Sequence, residues 1–425
     1  MALHYQGLAP YGPGIKGEAE DKIRALEKKI NPSFQKDPQG LGWYAYPDQL
    51  KDRDLEDLVA WAKKTNKRGG KTFILGIGGS YHGAKAGLSA LCGKDLPLVF
   101  SGHSLSSREL AMDLALFDPK KDHVLVISKS GTTAEISLSL RWYRDRILRV
   151  LGKVPPEAIS VITDEDSPLM AQAQAYGHQA FSLPKTMGGR FSVLSPVGLL
   201  PMALGGVDVF ALLEGARAQK RDLDQVGGLE NPANAYAWDR YQLYSQGKQA
   251  ELFCVYEACL EELGRWYAQL FGESEGKNGR GLFPTSLLFT RDLHSLGQYI
   301  QEGPRNFFET TLYIKEPEED LLLPPSSHKD GLEGLEGLSL NDLGQIAREG
   351  TQRAHKNGGV PLLNISLDRL DAHHLGAFFY FMQRACAMSA YLLGVNPFNQ
   401  TGVDVYKEEI RQEMEKIRGK NPSPF

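Results

Sequence analysis

Cysteine is scarce. The 425 residues hold four, Cys92, Cys254, Cys259 and Cys386. None forms a C-x-x-C pair, and the Cys254/Cys259 spacing fits no metal-ligand motif, so neither a redox dithiol nor a zinc ribbon is expected. Most sit in apolar runs and read as buried free thiols. No uninterrupted apolar stretch reaches the ~18 residues of a membrane span, and the amino terminus, MALHYQGLAPYGPG, lacks the basic-then-apolar order of a signal peptide. Excess positive charge is also missing: the formal net charge is -4, leaving no global field to recruit nucleic acid or anionic lipid. The expectations are a cytoplasmic location, no nucleic acid or membrane partner, and any anion site built locally.

What is present is ordinary globular composition, 42% apolar and 24% charged. Strands and helices alternate along most of the chain. "KTFILGIGG", "LPLVFS", "HVLVIS", "AISVIT" and "HQAFSLP" are near-continuous apolar runs, each set off by a helical or turn segment. Such runs suit parallel strands covered on both faces. The pattern breaks at "MGGRFSVLSPVGLLPMALGGVD" and resumes with "ELFCVYE", "RGLFPTS", "FFETTLYIK" and "VPLLNISL". The expected fold class is α/β: two three-layer α/β/α sandwich domains with parallel-rich sheets. The domains are placed at 66–205 and 246–395, joined by a helical segment at 206–245. Helical arms are expected at 1–65 and 396–425. The turn-rich acidic stretch 326–342 reads as an exposed connection with no derivable role.

Ser128-Lys129-Ser130-Gly131-Thr132-Thr133 follows the strand "HVLVIS" and opens a helix. Ligands of open α/β sheets bind at the carboxyl ends of strands. Unpaired N–H groups at the helix start favour an anion. The hydroxyls of Ser128, Ser130 and Thr133 can donate to phosphate oxygens, and Gly131 allows close backbone approach. The plainer alternative is a turn capped by a Thr132-x-x-Glu135 box. Gly76-Ile-Gly-Gly79-Ser80 is a second glycine-rich strand end, but neither a dinucleotide fingerprint nor a P-loop. Gly188-Gly189-Arg190 puts a guanidinium after two glycines, where it could stabilise developing negative charge; a solvated surface turn is the plain reading. Gly272-Glu273-Ser274-Glu275-Gly276-Lys277 carries two carboxylates in an expected loop, and spacing alone does not choose a general base between them. His294 falls on an expected helix, His373-His374 near a helix end, and Lys407 on a helix where a solvent-facing lysine is the ordinary case.

Taken in order, "GIGGS", "SKSGTT", "GGRFSVLSPVGLLP", "GESEGK", "DLHSLGQYIQEG" and "NQTGVDVYK" make the chain resemble the phosphoglucose isomerase family in its shorter bacterial form. The resemblance spans nearly the whole length. It implies two sugar-isomerase (SIS) domains, a homodimer with active sites at the subunit boundary, and reversible interconversion of glucose 6-phosphate and fructose 6-phosphate through an enediolate. It implies Glu273 as the base that moves the proton between C1 and C2, with Arg190 neutralising the enediolate oxygen. Ser128, Ser130 and Thr133, with Lys129, Gly131 and Thr132 beside them, would hold the phosphate. Gly79, Ser80 and Gly189 would line the pocket, and Gln269 and Gln400 would contact the sugar. His294, lent by the partner subunit, and Lys407 would open the ring. Such a proton transfer needs neither redox cofactor nor metal if one base removes and returns the proton, so no cofactor is expected. Phosphomannose isomerisation is the neighbouring enzyme reading. A sugar-phosphate sensor would be expected to carry a basic DNA-binding segment, and a glucosamine-phosphate synthase an amino-terminal cysteine and glutaminase domain; neither is present.

Overall fold

The computed structural model describes residues 2–8, 13–34, 40–93 and 95–420. Two five-stranded sheets dominate it. The first comprises β2 (Thr72–Leu75), β3 (Leu98–Ser101), β4 (His123–Ile127), β5 (Ile159–Thr163) and β6 (Gln179–Ser182), and the second is completed from both ends of the chain: β1 (Leu3–Gln6), β7 (Ala250–Val255), β8 (Phe283–Leu288), β9 (Phe307–Ile314) and β10 (Leu362–Leu367). The first runs β3-β2-β4-β5-β6, parallel throughout. The second runs β1-β10-β9-β7-β8, parallel except for β1. Every residue of β2, β4 and β5 is buried. That is why these strands read as unbroken apolar runs rather than alternating ones.

β1 corrects the expectation that residues 1–65 form only a helical arm. Helices do occupy Pro13–Ile30, Gly42–Gln49 and Asp52–Asn66. Ahead of them, however, Leu3–Gln6 pairs antiparallel with β10, Leu3 opposite Leu367. Tyr5 Oη and the Leu8 amide both donate to Asp239, tying this edge to the helix Pro232–Ser245.

The sheets share one continuous core through the helices between them. Its axis is the helix Ala372–Leu392, buried almost all round, as an apolar helix inside a large core should be. It crosses the helix Val209–Gln225 at close quarters. A Cβ at Gly215 would fall 1.8 Å from the His373 carbonyl oxygen, and one at Gly376 would fall 1.8 Å from that of Leu212. Only glycine permits that approach. Among the described residues no helix is long and apolar enough to cross a membrane. The cysteines are free; Cys254 and Cys386 are buried, whereas Cys92 and Cys259 are only partly so.

Candidate active site

The carboxyl ends of β2 and β4 carry the two loops singled out in the sequence. After β4, Ser128 is buried and its Oγ lies 3.2 Å from Thr133 Oγ1. Ser130 Oγ accepts from the Thr132 amide and hydroxyl at 3.2 and 3.1 Å. Gly131 has φ of +67°, and a Cβ there would meet Leu169 at 2.8 Å, so the turn requires glycine. The helix Ala134–Leu151 follows, with Thr133 as its N-cap and no side-chain capping bond. The expected Thr132/Glu135 capping box is therefore absent, because Thr132 turns its hydroxyl to Ser130. The first helical N–H groups keep no side-chain acceptor, which leaves this terminus suited to an anion.

Lys129 does not point its ammonium into this hydroxyl cluster. Its Nζ donates to the carbonyls of Lys185 (2.9 Å) and Met187 (2.8 Å), and burial lowers its pKa. It thereby holds the chain just before Gly188. After β2, a single tight helical turn spans Gly78–Ser80 and meets a second such turn at Gly189–Phe191. A Cβ at Gly79 would sit 2.2 Å from the Gly189 carbonyl carbon, so the two backbones touch because Gly79 has no side chain.

Arg190 departs from the solvated-turn expectation: it is 2% exposed. Its Nε donates to Ser274 Oγ at 2.7 Å and its Nη1 to Glu273 Oε2 at 3.3 Å. Nη2 donates to the carbonyls of Pro397 and, at 3.3 Å, Asn399. Burial lowers the guanidinium pKa, and Glu273 opposes that shift. Every partner lies more than 80 positions away in sequence.

Glu273 and Glu275 are not in a loop. They occupy the last turn of the helix Glu261–Glu275, and the fold gives them opposite environments. Glu275 is fully buried and paired with Arg240, which also grips Glu251 at 2.6 Å. Its carboxylate is committed to the core. The Glu273 side chain retains 28% exposure and faces Arg190. Gln269, one turn earlier, donates to Glu273 Oε1 at 2.9 Å, and Gln400 donates to Oε2. Thus Glu273, Arg190, Gln269 and Gln400 converge, although they come from three separate stretches of chain. Of the two carboxylates that spacing left alike, Glu273 is the one that is part exposed and beside Arg190.

His294 lies exposed on the helix Leu293–Glu302, and Lys407 lies exposed on the helix Thr401–Lys420, which begins directly after Gln400. Among the described residues no hydrogen bond or ion pair joins either to Glu273 or Arg190. His373 and His374 sit at the start of the helix Ala372–Leu392, where His374 bonds the N-cap Asp371 at 2.8 Å. Sequence reasoning gave no role to Ser274, Lys277, Arg240 or the 396–400 carbonyls. Ser274 and Lys277 were within a quoted motif, but nothing in their types signalled what they touch.

The family profile described as phosphoglucose isomerase matches residues 47–281. A glucose-6-phosphate isomerase of Symbiobacterium thermophilum is 40% identical over 416 residues, 95% of this chain and 93% of the other. One of Heliobacterium modesticaldum is 39% identical over 408 residues, 92% and 91% of the two chains. The crystal structure of a glucose-6-phosphate isomerase from Chlamydia trachomatis superposes with a TM-score of 0.79 at 20% identity, covering 98% of this chain and 89% of that one, a likeness of fold.

Proposed function

The chain belongs to the phosphoglucose isomerase family and interconverts glucose 6-phosphate and fructose 6-phosphate; from that premise we propose that Glu273 is the single base of the reaction and Arg190 its electrostatic partner. The carrying observation is their juxtaposition, a half-open carboxylate 3.3 Å from a buried guanidinium. Substrate would enter between them. The Glu273 carboxylate takes the proton from C2 of the open-chain aldose and the C–H electron pair forms the C1–C2 double bond as charge moves onto O1; a proton then passes from the O2 hydroxyl to O1, and the proton held on Glu273 is returned to C1 as the C2 carbonyl forms. Negative charge gathers on the enediolate oxygens, where Arg190 stabilises it without reorganising, since it is already held on four sides.

The phosphate rests on the hydroxyls of Ser128, Ser130 and Thr133 and the helix N-terminus behind Gly131. This binding, remote from the reacting carbons, orients the sugar. Gly79, Ser80 and Gly189 line the wall between phosphate and base. Gln269 and Gln400, now on the two oxygens of Glu273, would turn to sugar hydroxyls when substrate enters.

Ring opening moves a proton from the anomeric hydroxyl to the ring oxygen. We assign it to Lys407 and to His294 of the partner subunit. The exposed apolar side chains beside both residues support a homodimer: Leu296 and Tyr299 near His294, and Tyr406, Ile410 and Met414 near Lys407. A face of that kind is expected to be covered. A cytoplasmic location accords with the substrate.

The test is Glu273→Gln, which keeps the shape and removes the base. In an assay supplying fructose 6-phosphate and detecting glucose 6-phosphate, kcat should fall by at least about 10³-fold with KM little changed. Near-normal turnover refutes the assignment. Mixing this variant with His294→Ala, each nearly inactive alone, should restore part of the activity through hybrid dimers; no recovery in demonstrated hybrids refutes the lent histidine.

A further inference from the structure

Two residues past the helix Glu261–Glu275, Lys277 turns back across the site. Its Nζ donates to the Ser274 carbonyl at 3.1 Å and to the Asn396 carbonyl. Those two acceptors belong to the two segments that enclose Arg190. Ser274 supplies the hydroxyl on Arg190 Nε. Asn396 opens the stretch whose Pro397 and Asn399 carbonyls receive Arg190 Nη2, and whose Gln400 reaches Glu273. The Lys277 backbone is itself fixed, its amide donating to Glu275 O at 2.7 Å and Arg280 O at 3.2 Å, and its carbonyl accepting from the Arg280 amide at 2.9 Å. A rigid main chain therefore presents one cation to two carbonyls on opposite walls.

We infer that Lys277 is a positioning residue whose ammonium clamps the 396–400 segment against the last turn of the helix Glu261–Glu275 and so sets the approach of Arg190 to Glu273. The inference rests on the roles proposed above for those two residues. Lys277 touches no reacting atom; it acts through the carbonyls that hold the guanidinium. Displacement of a catalytic group by about 1 Å can cost 10²-fold in rate.

The clamp carries its own signature. Lys277 faces Arg190, Glu273, Glu275 and Cys386, and its pKa is lowered to about 8, first by burial and then by Arg190, with Glu273 and Glu275 opposing. Burial raises the Cys386 thiol to about 12, so it brings no charge near neutrality. As pH rises through about 8 the ammonium loses a proton, and its two charge-assisted bonds weaken to neutral ones. Turnover should therefore decline on the alkaline side with the loss of one proton.

The experiment is the pH profile of kcat for fructose 6-phosphate in the wild-type dimer, Lys277→Arg and Lys277→Met. Arginine stays charged throughout this range. The expected result is a wild-type decline centred near pH 8 that is absent in Lys277→Arg up to at least about pH 9.5. Lys277→Met should be about 10–10²-fold down in kcat at pH 7, with KM changed much less. A wild-type alkaline decline surviving in Lys277→Arg overturns the inference, as does wild-type kcat in a folded Lys277→Met. If Lys277→Met lacks a cooperative melt, the Lys277→Arg profile decides alone. Failure of the base assignment is read separately, from activity in Glu273→Gln.

Discussion

Removing the Arg190 side chain subjects the proposed chemistry to its most direct trial. Two losses can be worked from its contacts. The first is kinetic. A preorganised donor aimed at developing oxyanion charge contributes about 2.7–4 kcal/mol in a water-excluded site. Arg190 meets that description, being 2% exposed and held by Ser274, Glu273, Pro397 and Asn399. At tenfold per 1.36 kcal/mol, Arg190→Ala should lower kcat by about 10²–10³. KM should move by no more than about threefold, because the phosphate loop does not depend on the guanidinium. The second loss is structural. Two backbone carbonyls and one hydroxyl lose their donor, at about 1–3 kcal/mol for each group left unsatisfied. Water entering the vacated space holds the total near the lower end, about 3–4 kcal/mol. Steady-state kinetics on fructose 6-phosphate, run beside urea unfolding at fixed protein concentration, measures both. A variant with raised KM and normal kcat would show that Arg190 merely anchors substrate, and the electrostatic argument would fail.

The remaining predictions concern stability. Arg240, Glu251 and Glu275 are all fully buried, one cation between two carboxylates. Arg240→Met should cost about 3–5 kcal/mol, since it strands two charges rather than replacing the whole cluster; urea unfolding showing a loss below about 1 kcal/mol would contradict that reading. Asp239 is raised to about 6 by burial, with the Tyr5 hydroxyl and Leu8 amide opposing. Between pH ~4 and ~6 the folded chain holds a proton there that the unfolded chain has released, so this group's contribution to stability falls as pH rises through that window, by about 3 kcal/mol in all. Asp239→Asn should therefore gain on the wild type between pH 4 and pH 7. A stability difference independent of pH would remove Asp239 from the account.

How much of this was legible in the sequence follows from what each residue depends on locally. β2, β4 and β5 announced themselves because burial on both faces demands an unbroken apolar run. β1 did not. "LHYQ" has four residues, and its register comes from pairing Leu3 with Leu367 across the whole chain. Its signal is tertiary. The stretch "GESEGK" reads as a loop, whereas Glu273 and Glu275 lie in the last turn of the helix Glu261–Glu275. A Cβ at Gly272 would make only ordinary contact with Pro284 at 3.4 Å, so this glycine is carried within the helix rather than demanded by it. Arg190 illustrates the opposite error. A Cβ would meet nothing at Gly188 and only an ordinary contact at Gly189, so the two preceding glycines carried little signal, and the burial of Arg190 depends on Ser274 and Pro397, 84 and 207 positions away. The hydroxyl-rich loop after β4 was readable because the strand, the glycine and the helix start are contiguous. Its capping was not, since the Thr132 hydroxyl donates to Ser130 Oγ instead of capping the helix.

The three residues Glu273, Ser274 and Glu275 show why the proposed base is better placed on a helix end than in a loop. Consecutive helical residues diverge by about 100°, so three neighbours must point three ways. Here the first faces the cleft, the second meets Arg190 Nε at 2.7 Å, and the third enters the core to meet Arg240. A loop could offer the same three side chains, but each would need its own restraint. On a helix, fixing the third fixes the azimuth of the first. The buried pair below thus acts as a bearing for the carboxylate above, and a geometry good to about 0.5 Å follows from a rigid backbone rather than from many contacts to Glu273 itself. Glu273 is then free to exchange partners. Its bonds from Gln269 and Gln400 are replaceable by sugar hydroxyls, whereas those of Glu275 are not exposed to exchange at all. Two carboxylates of one type, two positions apart, are divided into a fixed one and an accessible one by burial and by the Arg240 pairing.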